Sequence, residues 1–272
     1  MPSTSSSTTA ATSSRSPVTD AVSGIVRALL IRGMLAGLVA GLAAFAFATV
    51  VGEPWVREAI AYEDATSASE AQHDVGGTVI SRTVQSTVGL LTGTAVAGIA
   101  LGGLFALVYA FALGRVGPRS PRPLAIALMA GALVSVAVVP FFKYPANPPG
   151  VGDPDTVGRR TVLYLALIAV TLAGAALAIA ARRRLLASRD PFTATTLAAI
   201  VWLALVALAY VVLPDAPRAP TGFPADVLWG FRVASLGVQA VLWGTIGVVF
   251  AVIVERLFAA EPSDRRLSSL TG

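Results

Sequence analysis

"TVQSTVGLLTGTAVAGIALGGLFALVYAFALG", residues 83–114, contains no Asp, Glu, Lys or Arg. A helix crosses the hydrocarbon core of a bilayer, about 30 Å, in roughly 20 residues. This stretch is long enough to do so. Five more stretches are equally free of charge: 33–52, 123–142, 161–181, 191–214 and 233–254. Buried helices of a soluble protein keep polar faces, and these show none. Only 13% of the 272 residues are charged, against about 25% in soluble domains. The reading is an all-α polytopic membrane protein with six transmembrane helices.

Charge sets the expected orientation, because Lys and Arg collect on the cytoplasmic side. With the N-terminus inside, 13 of the 20 basic residues fall on inside segments, among them Arg27, Arg32, Arg115, Arg122 and Arg182 to Arg184. Arg57, Arg82, Lys143, Arg159, Arg160, Arg218 and Arg232 fall outside. Both termini are therefore expected inside. Trp55, Tyr144, Tyr210 and Trp229 sit at the outer ends of their spans, as interfacial aromatics do. The expected division is a disordered Ser/Thr-rich cytoplasmic tail over 1–24, a six-helix domain over 25–258 and a cytoplasmic tail over 259–272. Outside loops are placed near 53–82, 143–160 and 214–232. The net charge of +5 is a matter of topology here and does not imply nucleic-acid binding. The absence of Cys excludes disulfides and thiol chemistry.

Small residues let helices approach closely in lipid. Gly33, Gly37 and Gly41 form two overlapping G-x-x-x-G steps, and Gly89/Gly93 and Gly98/Gly102 form two more in the next span. Spacing by four puts each set on one helix face, so they are read as packing residues.

A pattern recurs around the outside loops. "TVVGEP" (49–54), "AVVP" (137–140) and "YVVLP" (210–214) each give Val-Val, then Pro. Each loop is then followed by Arg at a helix start: Arg82, Arg159 and Arg160, and Arg232. This suggests three parallel hairpin repeats. Arg at a helix N-terminus opposes the macrodipole, so these cations are expected to pair with loop acids, Asp153, Asp155 and Asp226 among them. Such pairs would clasp the loops over the helix ends.

Polar side chains inside spans usually face the bundle interior. Glu53, Gln85 and Gln239 are the candidates for oxygen ligands along a cation path. The first outside loop is acidic and holds the only histidine, His73, three residues after Glu70 and beside Asp74. Glu70, His73 and Asp74 form a weak candidate site for a divalent ion. No nucleophile–base pair or hydrolase motif is present, and there is no P-loop, so an enzyme is not expected.

Four stretches carry a family resemblance: "VGEP" (51–54), "ISRTVQSTVGL" (80–90), "KYPANPPGVGDPDTVGRRT" (143–161) and "FPADVLWGFRVASLGVQ" (223–239). Through them the chain resembles the CbtA family of predicted cobalt transporter subunits, particularly its actinobacterial form. The resemblance implies a role in uptake of cobalt, with Co2+ as the transported ion; no bound cofactor is assigned. It implies a multi-pass protein of the plasma membrane and a small single-span partner, CbtB, with a His-rich end. Two features depart from the family: a lone His73 replaces the usual His cluster in the first loop, and six spans replace about five. A non-transporting membrane scaffold or sensor, or a permease for another solute, is the alternative expectation.

Overall fold

The computed structural model describes residues 17–69, 84–116, 120–149, 151, 156–215 and 219–268. Six helices are long and apolar enough to cross a membrane: α1 (Ser23–Thr66), α2 (Ser86–Ala112), α3 (Pro121–Lys143), α4 (Val157–Leu185), α5 (Pro191–Val212) and α6 (Ala225–Ala259). No strand occurs among the described residues. Local chemistry sets several helix ends. Asp190 caps α5 by accepting from Phe192 N and Thr193 N, both at 3.0 Å, and Pro191 follows at the first helical position, where its missing N–H costs nothing. Gly114, at φ 72°, ends α2 in the left-handed conformation.

Helix α1 is the axis of the larger part of the bundle. It packs along α2 on one side and α6 on the other, and α6 in turn packs on α3. The α1–α2 seam is made by the expected glycines. A Cβ built on Gly33, Gly37 or Gly41 would overlap the backbone of Gly102, Gly98 or Thr94 respectively, and Gly98 and Gly102 meet α1 in the same way. Gly93 faces open space, so only the second G-x-x-x-G of α2 is used. The core around this seam holds Leu29, Ala36, Ala40, Phe105, Tyr109, Trp243, Ile246 and Phe250. Tyr109 and Phe105 each meet the Phe250 ring edge-on, at 5.0 and 5.4 Å.

Helices α4 and α5 pack on each other and reach the rest through α3. Their apolar windows are only 17% and 11% buried, against 33–39% elsewhere. In space the order is therefore α2–α1–α6–α3–α4–α5. The packing does not follow the hairpin plan: α1 pairs with α2, but α5 pairs with α4 and α6 pairs with α1 and α3.

Helix extends past the expected bounds of the spans. Residues 53–69, expected in the first loop, are helical. Ser23–Thr66 is 44 residues, roughly 66 Å at 1.5 Å per residue, and so outreaches any bilayer. Among the described residues helix begins at Pro17. At the other end helix runs to Ser268.

Side-chain bonds hold alternate helix ends together. Arg122, at the start of α3, lies 3.4 Å from Glu255 near the end of α6. Lys143, at the end of α3, lies 2.9 Å from Asp215 just beyond α5. Successive helices thus run in opposite directions between a Glu255 end and a Lys143 end.

Candidate functional site

The Lys143 end carries most of the buried polar chemistry, and proline explains why. Pro140 lies inside α3 and has no N–H to give. The helix widens before it into a π-helical turn, Leu133–Val138, in which Val139 N–H reaches back to Val134 O. Neighbouring helices supply the carbonyls there with donors. Thr171 Oγ1 donates to Ser135 O at 2.9 Å, Tyr164 OH to Val136 O at 3.2 Å, and Tyr210 OH to Val139 O. Trp202 Nε1 donates to Thr171 O at 3.1 Å, so the network crosses α3, α4 and α5. Ser135 and Thr171 are buried at 4% and 1% exposure. Pro140 has no N–H to offer Ser135 O, so without Thr171 that carbonyl would be buried and unpaired.

The Val-Val-Pro pattern therefore has two structural outcomes. In α1 it lies on a second π-helical turn, Ala48–Gly52, with Pro54 beyond it inside the continuing helix. In α5 the helix ends at Val212, before Pro214. Proline stops only the third of the three helices.

Just past the α3 turn, Lys143 is turned inward. Its side chain is 6% exposed. It donates to Tyr210 O and Asp215 Oδ1, both at 2.9 Å, and lies 5.6 and 5.9 Å from the Tyr144 and Tyr210 ring centroids. Tyr144 OH donates to Pro214 O. Burial raises the Tyr144 hydroxyl above its ordinary value, which keeps it a donor. The clasp between the loops that follow α3 and α5 thus uses Lys143, Tyr144, Tyr210 and Asp215.

The expected clasp residues behave differently. Arg232 does reach the Pro-rich loop, but it bonds Asn147 Oδ1 at 2.9 Å and Ala146 O at 3.3 Å, an amide and a carbonyl in place of an acid. Asp226 is exposed at the start of α6, and Arg159 is exposed on α4. Arg160 is half-buried, and its Nε has no partner among the described residues. Arg82, Asp153 and Asp155 lie outside the described residues, as do Glu70, His73 and Asp74. Among the described residues no group of three His, Cys, Asp or Glu could hold a metal ion.

Glu53 leaves the π-helical turn of α1 half-buried, and Gln239 is half-buried on α6. Gln85 opens the π-helical turn Gln85–Gly89 that leads into α2; its side chain lies outside the description. Beside Glu53 and Gln239, Phe47 and Trp55 of α1 press on Gly237 and Gly230 of α6. A groove of about 480 Å³ runs there, lined by Phe47, Val51, Trp55, Trp229, Val233 and others, and it includes neither Glu53 nor Gln239. Beyond it α1 continues as an arm. Tyr62 OH donates to Gly222 O at 2.9 Å, and its ring meets Phe223 edge-on. The arm thereby braces the third loop while Arg57, Glu58, Glu63 and Asp64 face solvent.

Sequence reasoning missed Lys143 and Asn147 as clasp residues. One signal was present: Lys143 is the only lysine among 20 basic residues.

A family model described as "Probable cobalt transporter subunit (CbtA)" matches residues 26–255. No curated protein and no solved structure matches the chain.

Proposed function

The chain belongs to the CbtA family, and we propose that it is the multi-pass subunit of a cobalt uptake system in the plasma membrane, of the actinobacterial type. The family match over residues 26–255 carries this reading, and six helices long and apolar enough to cross a membrane support it. The cargo is a divalent cation, and the role is that of a transport subunit rather than an enzyme. Both termini lie inside, which puts the Lys143 end outside. That orientation places Arg27, Arg32, Arg115, Arg122 and the 182–184 run on the inner side, in line with the positive-inside rule.

Glu70, His73 and Asp74 then belong to an acidic outer loop that draws cations toward the membrane. Glu53, Gln85 and Gln239 are the oxygen ligands we place along the route inward. Glu53 and Gln239 are an acid and an amide, both half-buried, on helices that pack together. A small single-span CbtB-like chain is the partner, consistent with a family of subunits.

The test is labelled-cobalt uptake by cells lacking other cobalt importers, with and without this chain and its partner. Uptake should rise with both present. It should fall in Glu53→Gln or Gln239→Leu at unchanged protein level, by about tenfold if one charge-assisted or hydrogen-bonded ligand is lost. No rise with either combination would refute the transport reading.

A further inference from the structure

At the Glu255 end a second groove opens between α3, α4 and α5. It encloses about 440 Å³, and its walls are almost wholly apolar, including Gly131, Ala178 and Ala199, with Trp202 among the lining residues. Ser135 lies among the lining residues in its middle, and Arg182 and Thr195 line it toward the Glu255 end. Arg182 is half-buried. Its Nε donates to Thr195 Oγ1 at 2.9 Å, and the rest of its guanidinium has no partner among the described residues. That bond holds the fork at the groove rim, where it bridges α4 and α5.

Charge around the rim has one sign. Arg183, Arg184 and Arg189 are exposed within a few residues of Arg182. The nearest acid in the sequence, Asp190, is committed to capping α5. The α4 C-terminus offsets some of this charge through its dipole, but no carboxylate among the described residues pairs with these four arginines. From Arg182 to Ala175 along α4 the groove is about 10 Å deep at 1.5 Å per residue. Depth, apolar walls and a basic rim at membrane level match one ligand chemistry: a fatty chain below a phosphate.

We propose that this groove binds an anionic phospholipid, with an acyl chain along Gly131, Ala178 and Ala199 and the headgroup phosphate on Arg182 and its neighbours. The site is separate from the proposed cation route. It would tie the lightly buried α4–α5 hairpin to α3 through the lipid.

The test uses the full chain purified in mild detergent. Thermal unfolding is followed with added phosphatidylglycerol, phosphatidylcholine or glycerol phosphate. Phosphatidylglycerol should raise the midpoint with an apparent affinity about tenfold above that of phosphatidylcholine, as a charge-assisted contact gives. Glycerol phosphate should do nothing. Arg182→Gln should erase the preference, and Arg182→Lys should restore part of it. Gly131→Leu fills the groove from a position where a Cβ meets nothing within 4 Å. It should abolish the shift while leaving the lipid-free midpoint near wild type. Equal shifts by both lipids, a preference that survives Arg182→Gln and Gly131→Leu, or an equal shift from glycerol phosphate would overturn the proposal.

Discussion

Lys143 shows that a charge inside a fold meets more than an opposite charge. Its ammonium finds the Tyr210 carbonyl and two Tyr rings as well as Asp215. Asp215 itself is 97% exposed, so solvent screens that ion pair, and the carbonyl contact anchors the residue more firmly. Arg232 makes the same choice with Ala146 O and Asn147. Loop carbonyls and helix C-terminal carbonyls are acceptors already in place, while Asp226, in the first turn of α6, stays exposed. A reading by charge pairing alone overlooks them. Thr171 tests this residue-scale account. Thr171→Val keeps the shape but removes the donor to Ser135 O, leaving a buried carbonyl unpaired. We expect a loss of about 1 kcal/mol and a fall in the unfolding midpoint of about 2–4 °C. An unchanged midpoint would mean that the π-helical turn satisfies its own carbonyls.

At the scale of helices, the spans were legible because an uncharged run of 20 residues has few other uses. The α1–α2 seam was legible for a similar reason: G-x-x-x-G on adjacent spans permits backbone contact that larger residues forbid. Its test is Gly37→Leu. The new side chain would occupy the space of the Gly98 carbonyl, so the helices must part. Overpacking of this kind costs about 1–3 kcal/mol or more. The variant should elute as aggregate in size-exclusion chromatography, whereas Gly93→Leu, facing open space, should elute as wild type. Equal behaviour of the two would contradict the seam. The π-helical turns were not legible. Val-Val-Pro fits a helix end as well as a helix that widens and continues. In α3 the residues that decide the matter, Tyr164, Thr171 and Tyr210, lie on other helices.

For the whole molecule, a four-helix body (α2, α1, α6, α3) carries the α4–α5 hairpin on one flank. Chain order suggested three equivalent hairpins, but the partners of α5 and α6 are set by side chains far apart in sequence. The proposed cation route rests on residue types. Glu53 and Gln239 lie on α1 and α6, which the fold puts side by side. The acidic loop with His73 lies outside the described residues. The central claim is that this body carries Co2+ across a bilayer. The most direct measurement is entry of Co2+ into proteoliposomes holding a metal-quenched dye, with the purified chain alone and with the proposed small partner. The account predicts quenching when both are present, and slower quenching in Glu53→Gln. Dye fluorescence no different from protein-free liposomes, with and without the partner, would contradict it.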